Sequence, residues 1–355
     1  MRLLRFTLAA FILCLAPAWT EIAPVVSITE LVHSADLIIV GRVEHVRQTG
    51  AGEINFHGQS YARRDFQAEI NVDETIKGES AASQFALNYS TPAMDSLGNV
   101  AEGSLTPNTF QVLFLRKTGD GYAFVSPYSP SLPASSRLCG AEWQLRLGED
   151  AYRKVLQRVL DVLCTSSTTG DKLAALNILN WGEDSSVAPF LKAALNLPEV
   201  NSNPLLRTTI LGDLLKWKDL SVLPLAENDL FEPSKHVDAN LKSNLLLAIS
   251  SLNPHLSVPL LTRALTLSEP EARVGAARFL EYTNSDTAVD GLLSALDDRD
   301  RDVQFQIMQS LGNLTNQRQW RPQTTTKDAT WLACIEHWHE FGEQRRRKLG
   351  SSSAN

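Results

Sequence analysis

The hydrophobic pattern of this chain changes period once. Between residues 36 and 125 apolar positions alternate with polar ones or gather in short β-branched runs, whereas beyond residue 150 they return every three or four positions. The first pattern is that of strands with one buried face, the second that of helices with one buried stripe. In the front part, Ser27–Ala35 (SITELVHSA) predicts a short helix, with Ser27 as cap and Glu30 completing a capping box. Strands are predicted over Asp36–Val46, Phe66–Ile76, Gln84–Ser90, Thr109–Leu115 and Tyr122–Val125, the last two joined as a hairpin by Gly119-Asp120-Gly121. Gly41 within the first strand predicts a bulge or a barrel bend. Strands of this number with one short helix predict a small antiparallel β-barrel or sandwich. The proline- and serine-rich stretch Ser126–Ser136 then reads as a linker.

The rear part opens with an amphipathic helix over Asp150–Leu163, followed by a repeating unit. Segments starting at Ser185, Leu220, Leu256 and Thr287 align on Val187, Val222, Val258 and Val289, which are spaced by 35, 36 and 31 residues. Each valine is expected to start a helix, where a following proline is tolerated because the first turn has no amide partner inside the helix. A further helix precedes each: Lys172–Trp181, Leu205–Trp217, Leu241–Leu252 and Ala272–Tyr282. A fixed period with two helices per unit predicts an α-α solenoid, because one helix pair cannot bury its apolar stripe alone. Thr330–Arg346 is expected to cap the rear, anchored by Trp331, Ile335, Trp338 and Phe341.

The segment Val289–Leu314 (VDGLLSALDDRDRDVQFQIMQSLGNL) has a second helix, an acidic turn, a valine and a helix ending in Leu-Gly. In this it resembles HEAT repeats. The resemblance implies about five such units and a solenoid, but no activity, because these repeats serve many roles. Gln304 stands where the family often has arginine, and Arg273-Val274 keeps that pair in reversed order. In front, ADLIIVGRVEHV … EINVDETIKGE resembles the netrin-like module, an OB-type barrel also found in tissue inhibitors of metalloproteinases. Those inhibitors use an N-terminal cysteine and several disulfides. This region has neither, so the resemblance implies the barrel and not the inhibitory mechanism.

The expected architecture is therefore an α+β multidomain protein: a signal peptide over 1–18, a β-rich domain over 19–133, a linker and capping helix over 134–170, HEAT-like repeats over 171–345 and a disordered tail over 346–355. The signal peptide rests on Arg2 and Arg5, the apolar run Phe6–Leu15 and the small residues of Ala16-Pro17-Ala18. That run is too short to span a bilayer, and no later apolar stretch is long enough, so no stable membrane anchor is expected. The net charge of -7 lacks the basic footprint of a nucleic-acid binder. Export, to the periplasm or the extracellular space, permits disulfides. Cys139 and Cys164 flank one short helical segment and could pair, pinning the junction of the two parts. The other reading is that both, with Cys334, are free buried thiols.

Candidate chemistry is sparse. Asp298, Asp300 and Asp302 alternate as in a calcium loop, but Val303 and Gln309 stand where an EF-hand needs glycine and glutamate. The run reads as a helix-capping turn. Cys334, His337 and His339 do not share one helix face, so no metal site is expected. No nucleophile elbow, phosphate loop or dinucleotide fingerprint occurs, so no catalytic residue and no cofactor is predicted. Arg345-Arg346-Arg347-Lys348 reads as the solvated end of a helix. What remains is an exported protein-binding or scaffolding module that uses the solenoid surface. Five residues on from each aligned valine stand Lys192, Glu227, Arg263 and Ser294, the expected partner contacts. The alternatives are a regulator or inhibitor of an extracytoplasmic enzyme acting through the β domain, and a HEAT-like lyase.

Overall fold

The computed structural model describes residues 27–56, 59–79, 82–92, 105–119, 121–126, 131–138, 150–181, 184–232, 237–323 and 327–352. The expected signal peptide and Cys139 lie outside them. The chain forms two compact units, Met1–Leu132 and Pro133–Asn355. The first is an antiparallel sheet and the second is helical, an α+β architecture in two parts.

In the first unit, helix α1 (Ile28–Ser34) is capped by Ser27, whose hydroxyl accepts from the Glu30 amide at 3.1 Å. Its other end is closed by Lys77, whose ammonium donates to the carbonyls of Val32, His33 and Ala35. The strands are β1 (Leu37–Phe56), β2 (Gln59–Lys77), β3 (Gln84–Pro92), β4 (Thr109–Thr118), β5 (Gly121–Phe124) and β6 (Ser131–Pro133). They are ordered β3-β2-β1-β4-β5, with β6 paired to β4. One face gathers Leu37, Ile39, Ile70, Leu87, Leu113 and Leu115 into a core. Ile38, Val40, Val112 and Phe114 are equally buried on the opposite face, where α1 packs on β4 through Ile28 and Leu31. Gly41 sits at a register shift, where a Cβ would come within 2.8 Å of Ile70 Cγ2.

Two features depart from expectation. The sheet is not closed: β3 and β5, the outer strands, meet through aromatic rings, Tyr89 against Phe124 at 5.2 Å and Phe85 against Tyr122 at 6.2 Å, with no ladder between them among the described residues. β5 has only 4 residues, too few to complete a barrel seam. The first two strands also run far beyond Val46 and Phe66. Gly50 and Gly52 pair with Asp65 and Arg63, whose linked side chains lie over the space a Cβ would take.

The second unit begins with α2 (Ala151–Thr165), capped by Asp150. There follow α3 (Thr169–Trp181), α4 (Ala188–Ala194), the single turn α5 (Pro198–Asn201), α6 (Pro204–Lys216), α7 (Leu223–Phe231), α8 (Ala239–Ser250), α9 (Pro254–Ala264), α10 (Pro270–Tyr282), α11 (Asp286–Ser294), α12 (Arg301–Leu314) and α13 (Asp328–Ser352). First helices α3, α6, α8, α10 and α12 pack in succession, and α7, α9, α11 and α13 follow one another in a second row, an arrangement compatible with a solenoid. The four aligned valines are all buried. Pro189 and Pro224 occupy helix first turns as expected. Pro259 does not: it lies inside α9, which Pro254 starts one turn earlier.

A polar side chain recurs at the fourth residue of every first helix: Lys172, Arg207, Lys242 and Arg273 are buried and Gln304 is half-buried. Arg207 bonds Asp229 at 2.6 Å and Asn201 at 2.8 Å. Lys242 bonds Glu269 at 2.7 Å. Arg273 holds both oxygens of Asp298, at 2.7 and 2.8 Å. Gln304 donates to the Asp298 carbonyl and accepts from the Trp331 indole. The Arg207–Asp229, Lys242–Glu269 and Arg273–Asp298 bonds each tie a first helix to a turn or helix that follows it, so a desolvated charge is matched at the joint, while Asn201 and the Asp298 carbonyl, met by Arg207 and Gln304, precede their helices. Lys172, in the first pair, has no such bond among the described residues.

The rear is closed by α13. Trp338 is wholly buried and donates to the Trp320 carbonyl at 3.1 Å, with Phe341 edge-on to it. The expected disordered tail over 346–355 is corrected in part, because α13 continues through Ser352. Arginine, lysine and leucine sustain a helix, and the first residue there of poor helix propensity is Gly350.

Candidate functional site

The second helices carry one exposed face of the helical unit; the first helices expose residues of their own, among them Leu205, Leu247 and Tyr282. Asp184 and Asp219 each accept from the amide two residues on, at 2.9 and 3.0 Å, folding a 3-10 turn that ends in the buried valine. Asn253 accepts likewise from the His255 amide and starts α9. With the valines fixed inward, helical spacing turns Pro189 and Lys192 outward on α4, Pro224 and Leu225 on α7, Leu256, Pro259 and Arg263 on α9, and Asp290 and Ser294 on α11.

Lys192, Glu227 and Arg263 bridge neighbouring helices. The Lys192 ammonium donates to the Ser221 hydroxyl and lies 3.8 Å from the Asp219 carboxylate. Hydrogen bonding from Ser221 holds the Asp219 carboxyl below its ordinary range, with Lys192 adding to it against a smaller effect of burial. Arg263 lies 4.0 Å from Glu227 and 3.9 Å above the Phe231 ring, with its side chain 58% exposed. Ser294 donates to the Gly291 carbonyl at 2.7 Å. Arg263 and Ser294 line one open cleft between α9 and α11. The structure thus joins Glu227 to Arg263, sets Arg263 and Ser294 on one cleft, and leaves Lys192 at the α4 end.

Sequence reasoning missed an apolar strip. Leu220, Leu225 and Leu256 are 45%, 40% and 37% exposed. Pro224 and Pro259 are exposed beside them. Leu220 and Leu256 stand two residues before Val222 and Val258, where the other units have Ser185 and Thr287. The ion pair and the ring contact place α7 and α9 side by side, so this strip spans two adjacent helices. The register signal was present in the sequence, but leucine there reads as core until the burial is seen. Compared with protein-family models the chain matches none. No curated protein matches it.

The other candidates disperse. In the acidic turn, Asp298 serves Arg273 and Asp300 caps α12 by accepting from Asp302 and Val303. Burial alone would raise the Asp298 carboxyl, but bonds from Arg273 and the Asp300 amide outweigh it and hold it below the usual range. Cys334 is a free buried thiol, and burial pushes its pKa up, away from the thiolate. His337 stacks on Trp320 at 4.0 Å and bonds Gln317, while His339 bonds Asp297 at 2.9 Å. Among the described residues no three such groups converge as metal ligands. Arg345, the first residue of the basic run, is bonded to Asp290 at 2.6 Å. Cys164 is disulfide-bonded. Its neighbour Thr165 bonds Ser135 at 2.6 Å, which fastens the segment entering the helical unit onto α2. No helix among the described residues is long and apolar enough to cross a membrane.

Proposed function

We propose that this is an exported protein-binding module whose HEAT-like solenoid presents the second-helix face to a protein partner. The observation that carries the reading is the strip Leu220, Pro224, Leu225, Leu256 and Pro259, exposed on adjacent helices and flanked by the charged pairs Lys192–Asp219 and Glu227–Arg263. An apolar centre with a polar rim is the anatomy of an interaction surface, and a monomer has no reason of its own to keep such a strip wet. The disulfide at Cys164 supports export, since such bonds persist in oxidising compartments. Pairing of Cys164 with Cys139 predicts one cross-linked peptide when the unreduced protein is mapped by mass spectrometry.

The test is a cross-linked pull-down from extracytoplasmic extract with mature chain 19–355 as bait. The variants are Leu220→Asp with Leu256→Asp, and Lys192→Glu with Arg263→Glu. A partner that wild type captures and the first double variant loses supports the reading. Equal capture by all baits, or capture of nothing, overturns it.

A further inference from the structure

The outward row of ion pairs on the second helices is broken at one step. Lys192–Asp219 joins α4 to the turn before α7, Glu227–Arg263 joins α7 to α9, and Arg345 and His339 join α13 to Asp290 and Asp297. Between α9 and α11 there is no bridge among the described residues. These helices touch instead through Gly291, where a Cβ would overlap the Thr262 hydroxyl. Beside that contact lies an open cleft of about 540 Å³. One wall, from α9, carries Thr262, Arg263 and Thr266; the other, from the end of α11, carries Ser294, Asp297 and Asp298.

The two walls carry opposite charge. Asp298 is used by Arg273, inside the fold. Arg263 and Asp297 are not used up in that way: their side chains are 58% and 78% exposed. Arg263 lies over the Phe231 ring and is only loosely paired, at 4.0 Å. Asp297 gives one oxygen to His339 and keeps the other. A base on one wall, an acid on the other and hydroxyls between them suit a chain segment that is itself dipolar. A guanidinium receives a carboxylate through parallel N–H donors, a carboxylate receives an ammonium or guanidinium, and hydroxyls serve either sense of a peptide group.

We propose that the α9/α11 cleft is a specificity slot in the binding face, receiving an extended segment of the partner that carries an acidic side chain toward Arg263 and a basic one toward Asp297. This rests on the reading of the second-helix face as a protein-binding surface and adds what that surface selects.

The probes are acetylated, amidated octapeptides in a Gly/Ser/Leu background, with one acid and one base at varied spacing, two acids, two bases, or no charge. Binding to full mature chain is read by fluorescence polarisation at low salt. The acid-plus-base peptides are expected to bind about tenfold or more tighter than every other class. Arg263→Glu is expected to move the preference to two bases, and Asp297→Lys to two acids. Both sites are exposed, and an unchanged melting temperature verifies the fold. A purely structural role for either residue would weaken all peptides alike without reversing the order. Equal binding of all classes, no binding, or an unchanged preference in both variants overturns the slot. If Leu220→Asp with Leu256→Asp loses the partner while Arg263→Glu and Asp297→Lys keep it, the slot falls and the face stands. If no partner is captured, the face falls, and the peptide preference alone decides the slot.

Discussion

The helical unit carries two rows of charged side chains, one inside and one outside. The inner row, at the fourth residue of the first helices, forms its ion pairs at Arg207, Lys242 and Arg273, where the base is almost wholly buried; Arg273 and Asp298 are 4% and 10% exposed. The outer row, five residues after each valine, pairs Arg263 and Glu227 at 58% and 36% exposure. Both repeat with the helix pair, and both join successive elements. Their energetics should differ widely, because breaking a buried pair strands a charge in low dielectric, whereas an exposed pair is solvated and screened once broken. Repetition in the sequence therefore does not reveal which row supports the fold and which is free to meet a partner.

The sharpest way to break this comparison is Arg273→Met. It leaves the Asp298 carboxylate buried without its bidentate partner and should cost about 3–5 kcal/mol, read as a fall in the urea midpoint at unchanged m-value. Acid titration sharpens it. The Asp298 carboxyl is held below its unfolded range, so it contributes stability that is present above the ordinary carboxylate pKa and is lost as pH falls through the folded value. Wild type should therefore lose more stability than Arg273→Met between neutral pH and about pH 3. A loss under about 1 kcal/mol at neutral pH would erase the distinction between the rows.

Asp213 on α6 is the counter-case inside the fold. Its carboxyl is buried; among the described residues one oxygen has no partner, and the other meets only Lys216, at 3.4 Å. Burial raises its pKa from 3.8 to about 6, against the opposing effects of Lys216. Here the sign is reversed: the folded state holds the proton longer, so stability falls as pH rises from the ordinary carboxylate value to about 6. Asp213→Asn should raise stability at pH 7 by up to about 3 kcal/mol and flatten that part of the pH profile. A destabilised variant with the profile unchanged would mean that Asp213 is charged and paired in solution.

The inner row also contains its own control. Lys172 holds the same helix position as Arg207, Lys242 and Arg273 but meets no acid among the described residues. At the place corresponding to Asp229, seven residues after the valine, the first pair has Ala194. Lys172→Met should thus be neutral or stabilising by about 1 kcal/mol, since it removes the cost of a buried ammonium and no bond among the described residues. A loss comparable to that of Arg273→Met would show that Lys172 is paired after all.

How much of this was legible in the sequence follows from the same contrast. The helix pairs were legible because a buried valine every 31 to 36 residues is a packing requirement, and packing requirements repeat. Gly41 was legible as a bulge because only a residue without Cβ fits against Ile70. The long β1–β2 hairpin was not, because Gly50 and Gly52 give the same local signal whether they end a strand or make room for Asp65 and Arg63 opposite. The inner row was glimpsed only as Arg273 and Gln304, since its acids arrive at irregular offsets: Asp229, Glu269 and Asp298 stand 7, 11 and 9 residues after their valines. Of the binding face, the charged positions could be counted off, while the apolar strip needed the burial of each leucine.

The smallest expected effect tests the outer row. Lys192→Ala and Glu227→Ala should each change stability by less than about 1 kcal/mol, and the change should shrink as salt is added, because both pairs are exposed and screened. Melting of the two variants in low and high salt checks this. The small number matters because a surface that contacts a partner must be able to exchange its internal pairs for external ones without unfolding. If either substitution cost as much as Arg273→Met, and salt did not change it, the outer row would be holding the helices together, and Arg263 would be committed to Glu227 rather than available to a carboxylate from outside.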